Sequence, residues 1–372
     1  MTKILSIVWY KVLPPRFGGQ KGTALFNKYL VQHFPLVCLC SSNNNPPLDL
    51  SYKLVPELPV TKFQFIDPSC WFKILNIAKK EKITHLILEH PYHGIAGWLV
   101  KKFSGIKVIV HSHNIESERF REQGKWWWWI LRILEKWAHR NAELNFFKTG
   151  NDMSFAIKHF KLNPAKCTII PFGIEISETR IDKKDARKLI MERHSILPGD
   201  KIILFAGTLD YQPNADAVES IYKKIAPGLL QNQEFNFKIV ICGRNNFNEF
   251  QYLKDLKNPQ IIYAGEVNDI STYFAAADVF INPVRVSSGT QTKVIEAISY
   301  QLNTVVFRKQ LEGIHILVCY DKIYTVPGED WNEFNKQIIN ASKTVSPTPE
   351  VFFEYYNWNR IGLLAVQAID QL

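Results

Sequence analysis

The chain has 372 residues, 46% of them hydrophobic and 22% charged, a globular composition with no low-complexity tract and no solenoid repeat. That length exceeds one ordinary core and predicts two domains of roughly 150–200 residues. The net charge of +10 lies wholly in the first half: residues 1–175 hold 24 Lys and Arg against 12 Asp and Glu, and residues 176–372 hold 21 against 23.

Residues 3–10 (KILSIVWY) form an apolar run with no small-residue cleavage site after it, so a buried strand is expected there and not a signal peptide. Further strand-length apolar runs fall at 36–40, 85–88, 107–111, 144–147 and 167–170, with helical periodicity at 23–34, 70–80 and 126–142. Pro171-Phe172-Gly173 breaks the pattern, a charged helix is expected over 178–193, and Pro198-Gly199-Asp200 closes it. A second alternation follows, with strands at 202–206, 237–242, 260–263, 279–281 and 304–307 and helices at 215–225, 270–276 and 292–300. Such alternation predicts an α/β fold of two Rossmann-like halves joined near residues 171–200, with the cleft between them as the default site.

No stretch approaches the roughly 18 apolar residues of a membrane-spanning helix. The six cysteines (Cys38, Cys40, Cys70, Cys167, Cys242, Cys319) form no CxxC pair, so reduced thiols in a cytoplasmic protein are expected, and no metal site. The excess positive charge admits a phosphorylated substrate, an anionic membrane surface, or no more than a solvated basic face. Nucleic acid is the weakest partner, because there is no recognition motif and no Arg-rich helix.

Within the helix at 126–142 stands the run GKWWWW. At about 100° per residue, four adjacent tryptophans cannot share one face. Trp126, Ile130, Ile133, Leu134 and Trp137 fall on one side, a stripe expected to face the core. Trp128 then falls among Arg132, Glu135 and His139, with Trp129 on a shoulder beside Lys136, and these two are expected to be the exposed ones.

Two loops can carry chemistry. KVLPPRFGGQKG joins the first strand to a helix expected to begin at Thr23, and Gly18 and Gly19 there either aim backbone N–H groups at an anion or form a plain tight turn. They match neither GxGxxG nor the P-loop pattern. In NPVRVSSGTQTKVIEAISY (Asn282–Tyr300) a strand runs through a Ser/Gly/Thr loop into an amphipathic helix. Backbone N–H groups at Gly289 and Thr290 would face a phosphate, Lys293 would add a full positive charge, and Glu296 lies on the same face. A surface Lys–Glu pair is the bland alternative.

GTLDYQPNADAVESI, IVICGRN and IIYAGEVNDISTYFAAADVFINPVRVSSGTQTKVIEA resemble the second domain of glycosyltransferase family 4, the large GT-B family of retaining sugar transferases. FGGQKG, HNIESE (His113–Glu118) and IIPFGIE (Ile169–Glu175) resemble its first domain, and NWNRIG (Asn357–Gly362) resembles the closing helix that returns to that domain. The resemblance implies a GT-B fold with 1–175 plus 355–372 on the acceptor side and 176–354 binding the nucleotide sugar.

By the same resemblance, Glu296 matches the second of two glutamates spaced eight apart, the one that binds ribose. Ser288 stands where the first is common, a departure shared with a sub-branch whose loop is Gly/Ser-rich. Gly289, Thr290 and Lys293 match the diphosphate cradle. GTLDYQPN lacks the family's Arg and Lys, so Arg244 or Arg285 either substitutes or is a surface arginine. His113 matches a histidine that reaches the donor sugar, with His111 two residues away as the other candidate. Gly18 and Gly19 match the loop over donor phosphates and acceptor.

The implied reaction moves a sugar from a nucleoside-diphosphate sugar to an acceptor hydroxyl with retention, without a metal or other cofactor. It would serve glycan, polysaccharide or glycolipid synthesis in the cytoplasm, on a glycan or lipid-linked acceptor, with Trp128 and the basic first domain touching an anionic inner membrane face. A GT-B epimerase using His111, His113 and Glu116, or a non-catalytic nucleotide-sugar or glycan binder, are the alternatives.

Overall fold

The computed structural model describes residues 1–15, 18–175, 181–286, 289–344 and 346–372. The chain opens with β1 (Ile4–Val8), α1 (Gly18–Leu30), β2 (Leu36–Ser41) and β3 (Lys53–Leu58). Next come α2 (Pro68–Lys80), β4 (His85–Glu89), α3 (Gly94–Ser104), β5 (Lys107–Ser112), α4 (Glu116–Glu122) and α5 (Trp128–Asn141). β6 (Leu144–Phe147), α6 (Gly150–Phe155), β7 (Cys167–Ile169), α7 (Lys183–His194), β8 (Lys201–Ala206) and α8 (Gln212–Ser220) follow. Then come α9 (Ala226–Leu229), β9 (Phe237–Cys242), β10 (Ile261–Gly265), α10 (Ile270–Ala276), β11 (Val279–Asn282) and α11 (Thr292–Ser299). β12 (Asn303–Phe307), α12 (Ile316–Cys319), β13 (Ile323–Val326), α13 (Trp331–Lys343), α14 (Glu350–Tyr356) and α15 (Trp358–Asp370) end the chain.

Two compact units result: Met1–Gly173 with Tyr356–Leu372, and Ile174–Tyr355. The first holds a parallel seven-stranded sheet in the order β3-β2-β1-β4-β5-β6-β7. Its faces are both covered, which explains why β1 reads as a continuous apolar run. Ile4 and Val8 point into one core with Phe26 of α1 and Trp358 of α15. Leu5 and Ile7 point into the opposite core with Ile74 of α2 and Val100 of α3. α15 is held to this unit by Trp358, whose ring stacks on Tyr29 at 6.1 Å between centroids. The second unit holds a parallel six-stranded sheet, β10-β9-β8-β11-β12-β13. β8, β9, β11 and β12 share one core with α8 and α13.

In each sheet the strand order reverses once, between β1 and β4 and between β8 and β11. At such switch points the loops leave in opposite directions and open a crevice at the carboxyl ends of the strands.

Three expectations need correction. The helix after β1 begins at Gly18, so Gly18 and Gly19 form its first turn and are not a loop before Thr23. β3 and β13, both sheet edges, were not expected; β3 contains Pro56 and two charged residues, and β13 has only four residues. The third concerns α5, whose stripe faces the other way. Trp126 is 75% exposed and Ile133 60% exposed, and Ile130 and Leu134 are also exposed, beside Trp129, whose exposure was expected. The buried side carries Leu131, Glu135, Ala138 and His139. Trp128 is half-buried, with the guanidinium groups of Arg121 and Arg132 at 5.8 and 5.9 Å from its ring. The inversion has a polar cause. Glu135 accepts hydrogen bonds from the backbone N–H of Glu116 (2.7 Å) and Ser117 (3.0 Å) at the start of α4. His139 bonds Asn145 at 2.8 Å and stacks on Phe147. The buried hydrogen bonds of Glu135 and of His139 Nδ1 outweigh the apolar periodicity.

Candidate functional site

In the first unit, polar side chains gather where β1, β4, β5 and β6 end. Glu89, the last residue of β4, is fully buried and bonds two imidazoles, His111 Nδ1 at 3.1 Å and His113 Nε2 at 2.7 Å. Burial works to raise the Glu89 carboxyl, and the two histidines with their hydrogen bonds overcome it and hold it well below the usual range. Burial pushes His111 down to about 4 and His113 well below its ordinary value, so both rings are neutral. An ionised carboxylate only accepts, so both of those ring nitrogens carry the proton, and His113 is left with Nδ1 as an acceptor for a ligand hydroxyl. His111 lies on β5, completely buried beside Phe26; His113 lies just beyond the strand end, with its side chain partly accessible.

A second pair backs the first. His90 Nδ1 bonds Glu116 at 3.0 Å, and its ring stacks on His113 at 4.3 Å. Burial acts to raise the Glu116 carboxyl, but its hydrogen bond and charge contact with His90, and Arg119, bring it down to about 2. Lys148, just after β6, is buried with no hydrogen-bond partner among the described residues, and burial pushes it down to about 8. Glu89, His111 and His113 offer three ligand atoms within 4.8 Å of one another, a spacing compatible with a cation, although the imidazoles here bond the carboxylate. Sequence reading missed Glu89, His90 and Lys148. Their signal was a charged residue closing an apolar run (ILEH, NFFK), the place where a parallel strand meets its crevice.

In the second unit the backbone just beyond β8 and β9 comes close beside the β8/β11 switch point. A Cβ on Gly243, just after β9, would sit 1.9 Å from the carbonyl oxygen of Gly207, just after β8. Lys293, in the first turn of α11, turns its ammonium inward to Asn214 Oδ1 at 2.9 Å, with the face of Phe205 at 4.9 Å. Asn214 is oriented by donating to the carbonyl of Thr208 at 2.8 Å. Burial pushes Lys293 down to about 7. Before α11, Gly289 has φ +82, a left-handed conformation suited to glycine. The Thr290 hydroxyl is buried with no partner among the described residues. Gln291 turns its side chain to Asn282 at 3.2 Å and does not cap the helix.

Of the expected site residues, Gly289, Thr290, Lys293 and Glu296 thus share one loop and helix start, with Glu296 one turn after Lys293 and half-buried. Ser288 lies outside the described residues. Arg244 is tied to Asp210 at 2.9 Å, and Asp210 also accepts from the N–H groups of Asn246 and Phe247. Arg285 faces the acids Asp216 (4.0 Å) and Glu329 (3.5 Å). Neither arginine has a described contact with Lys293.

Residues 23–178 match the family model Glycosyltransferase Family 4, and residues 200–343 match the model Glycosyl transferases group 1. No curated protein matches the chain by sequence. Among solved structures, sucrose-phosphate synthase from Thermosynechococcus elongatus superposes with TM-score 0.77 at 14% identity, covering 99% of this chain and 98% of that one. A glycosyltransferase from Rickettsia africae gives 0.75 at 13%, covering 100% and 98%. HepE of Anabaena, in complex with UDP and glucose, gives 0.75 at 14%, covering 100% of both chains. At these identities the likeness establishes the two-domain α/β fold that such transferases share.

Proposed function

Because this chain belongs to the family 4 and group 1 glycosyltransferases, we propose that it moves a sugar, with retention, from a nucleoside-diphosphate sugar to the hydroxyl of a glycan or lipid-linked acceptor. The setting would be polysaccharide or glycolipid synthesis in the cytoplasm. One observation carries the donor reading: Lys293 is held inward at the β8/β11 switch point, one turn before Glu296, and the loop before it carries the Thr290 hydroxyl, buried with no partner among the described residues. HepE, of the same fold, is known in complex with UDP-glucose, which supports the same donor class here.

In this mechanism the bond from the sugar's anomeric carbon to the diphosphate oxygen breaks as the bond to the acceptor oxygen forms, and the acceptor's hydroxyl proton passes to the departing diphosphate oxygen. Negative charge grows on the departing diphosphate. Lys293 gains a full charge partner there, and the first turn of α11 adds its dipole; a preorganised cation in a dry site is worth more than in water. Glu296 accepts hydrogen bonds from the ribose hydroxyls. On the first unit, His113 Nδ1 accepts from a donor-sugar hydroxyl, kept in the right tautomer by Glu89. The basic side chains and the helix dipole supply the positive charge that other transferases take from a cation.

The test incubates the purified protein with a panel of nucleotide sugars, with and without acceptor glycans, and follows products. Hydrolysis or transfer supports the proposal; an epimerised nucleotide sugar, or binding without any turnover, overturns it. Glu296→Ala should weaken nucleotide binding about tenfold or more, the worth of hydrogen bonds to a charged group. Unchanged affinity would remove Glu296 from the site.

A further inference from the structure

The outward face of α5 is a second feature with chemistry of its own. Relative to Trp129, at about 100° per residue, Ile133, Trp137, Ile130 and Leu134 continue one arc of the helix, and Lys136 and Arg140 line its edge on the Trp129 side. Trp126 stands exposed in the turn before the helix. α3 packs alongside through Trp98 and Trp137, with ring centroids 6.0 Å apart. It adds exposed Phe103, and Lys102 over the Trp98 ring at 5.0 Å. The only acid in α5, Glu135, is buried on the opposite side.

We infer that this tryptophan-bearing face of α5 docks on an anionic lipid bilayer. An exposed apolar stripe edged by lysine and arginine is the form of a helix lying in the headgroup plane, where indole rings sit at the interface and cations meet lipid phosphates. Charge complementarity selects the bilayer over a second copy of the chain. A self-complementary contact would bring Lys136 and Arg140 against their own images, within a first half that holds 24 Lys and Arg against 12 Asp and Glu. The inference goes beyond the donor reading and does not depend on it.

The experiment is co-sedimentation of the full chain with vesicles of equal parts phosphatidylglycerol and phosphatidylcholine, and with phosphatidylcholine alone. The intact chain should bind the mixed vesicles, bind the neutral ones more weakly, and be released by raised salt. Trp126→Ser with Trp129→Ser and Ile133→Ser should lower partition by at least about tenfold. These positions are exposed, so thermal unfolding should be unchanged. Leu317→Ser, an 81% exposed site in the second unit, should change nothing. Quenching of tryptophan fluorescence by brominated lipid, lost in the triple variant, would place the rings in the bilayer. No vesicle binding by the intact chain, equal binding by the triple variant, or a discrete dimer in lipid-free solution at low ionic strength that the triple variant splits would each overturn the inference. Nucleotide affinity measured on the same samples separates failure here from failure of the donor reading.

Discussion

An ammonium group that burial has pushed down to about 7 responds to an anion differently from a surface lysine. Once a diphosphate sits beside it, the Lys293 ammonium is stabilised and its pKa rises. Binding therefore takes up a proton near neutral pH. The affinity should be constant below about pH 7 and fall as pH rises from there toward the bound-state value. Titration calorimetry in buffers of different ionisation enthalpy, across pH 6.5 to 9, reads both effects. Lys293→Ala should weaken binding by about 1.5–3 kcal/mol and abolish the proton uptake. At the same scale, Gly243 faces backbone that cannot yield, since its Cβ would meet the Gly207 carbonyl at 1.9 Å. Gly243→Ala should lower the stability of the second unit by about 2 kcal/mol or more, measured by denaturant unfolding.

Among the elements, α5 shows what a helical wheel can and cannot say. Its periodicity correctly divided the helix into an apolar and a polar side, and the wrong side was taken as inner. Glu135 and Glu116 are 19 residues apart, and nothing local announces that one carboxylate closes the start of the preceding helix. The same limit hid Glu89 in the first unit, which meets the expected His111 and His113 across 22 and 24 residues. The central strands were legible because their two-sided burial writes uninterrupted apolar runs, whereas edge strand β3 is broken by Lys53, Pro56 and Glu57. The loop before α11 was legible because glycine, a hydroxyl and a lysine follow a strand in a fixed local order.

Glu135 also gives a prediction at this scale. Burial raises its carboxyl to about 7, above an unfolded value near 4.5. A folded state that holds the proton more tightly loses stability as pH rises from the unfolded value through the folded one. Relative to Glu135→Gln, the natural chain should lose roughly 3 kcal/mol between pH 4.5 and 8, read from urea midpoints at each pH.

The whole molecule carries a titration of opposite sign. His93, His111 and His139, all in the first unit, are buried and pushed by burial to about 3, 4 and 4. Their contribution is fully present above the unfolded value near 6.5 and is lost progressively as pH falls toward the folded values. The first unit should therefore open before the second in mild acid, seen as hydrogen exchange accelerating in β4 and β5 while β8 and β11 stay protected. The outward tryptophans have a consequence for the free protein as well. Net repulsion from a charge of +10 holds copies apart at low ionic strength. Above about 0.15 M salt the screening length shrinks to roughly 8 Å, and the uncovered stripe on α5 is then free to find its like. Colloidal behaviour inverts: this chain should keep best in dilute salt or in mild detergent micelles, and salt that merely weakens bilayer attachment should turn lipid-free solutions cloudy.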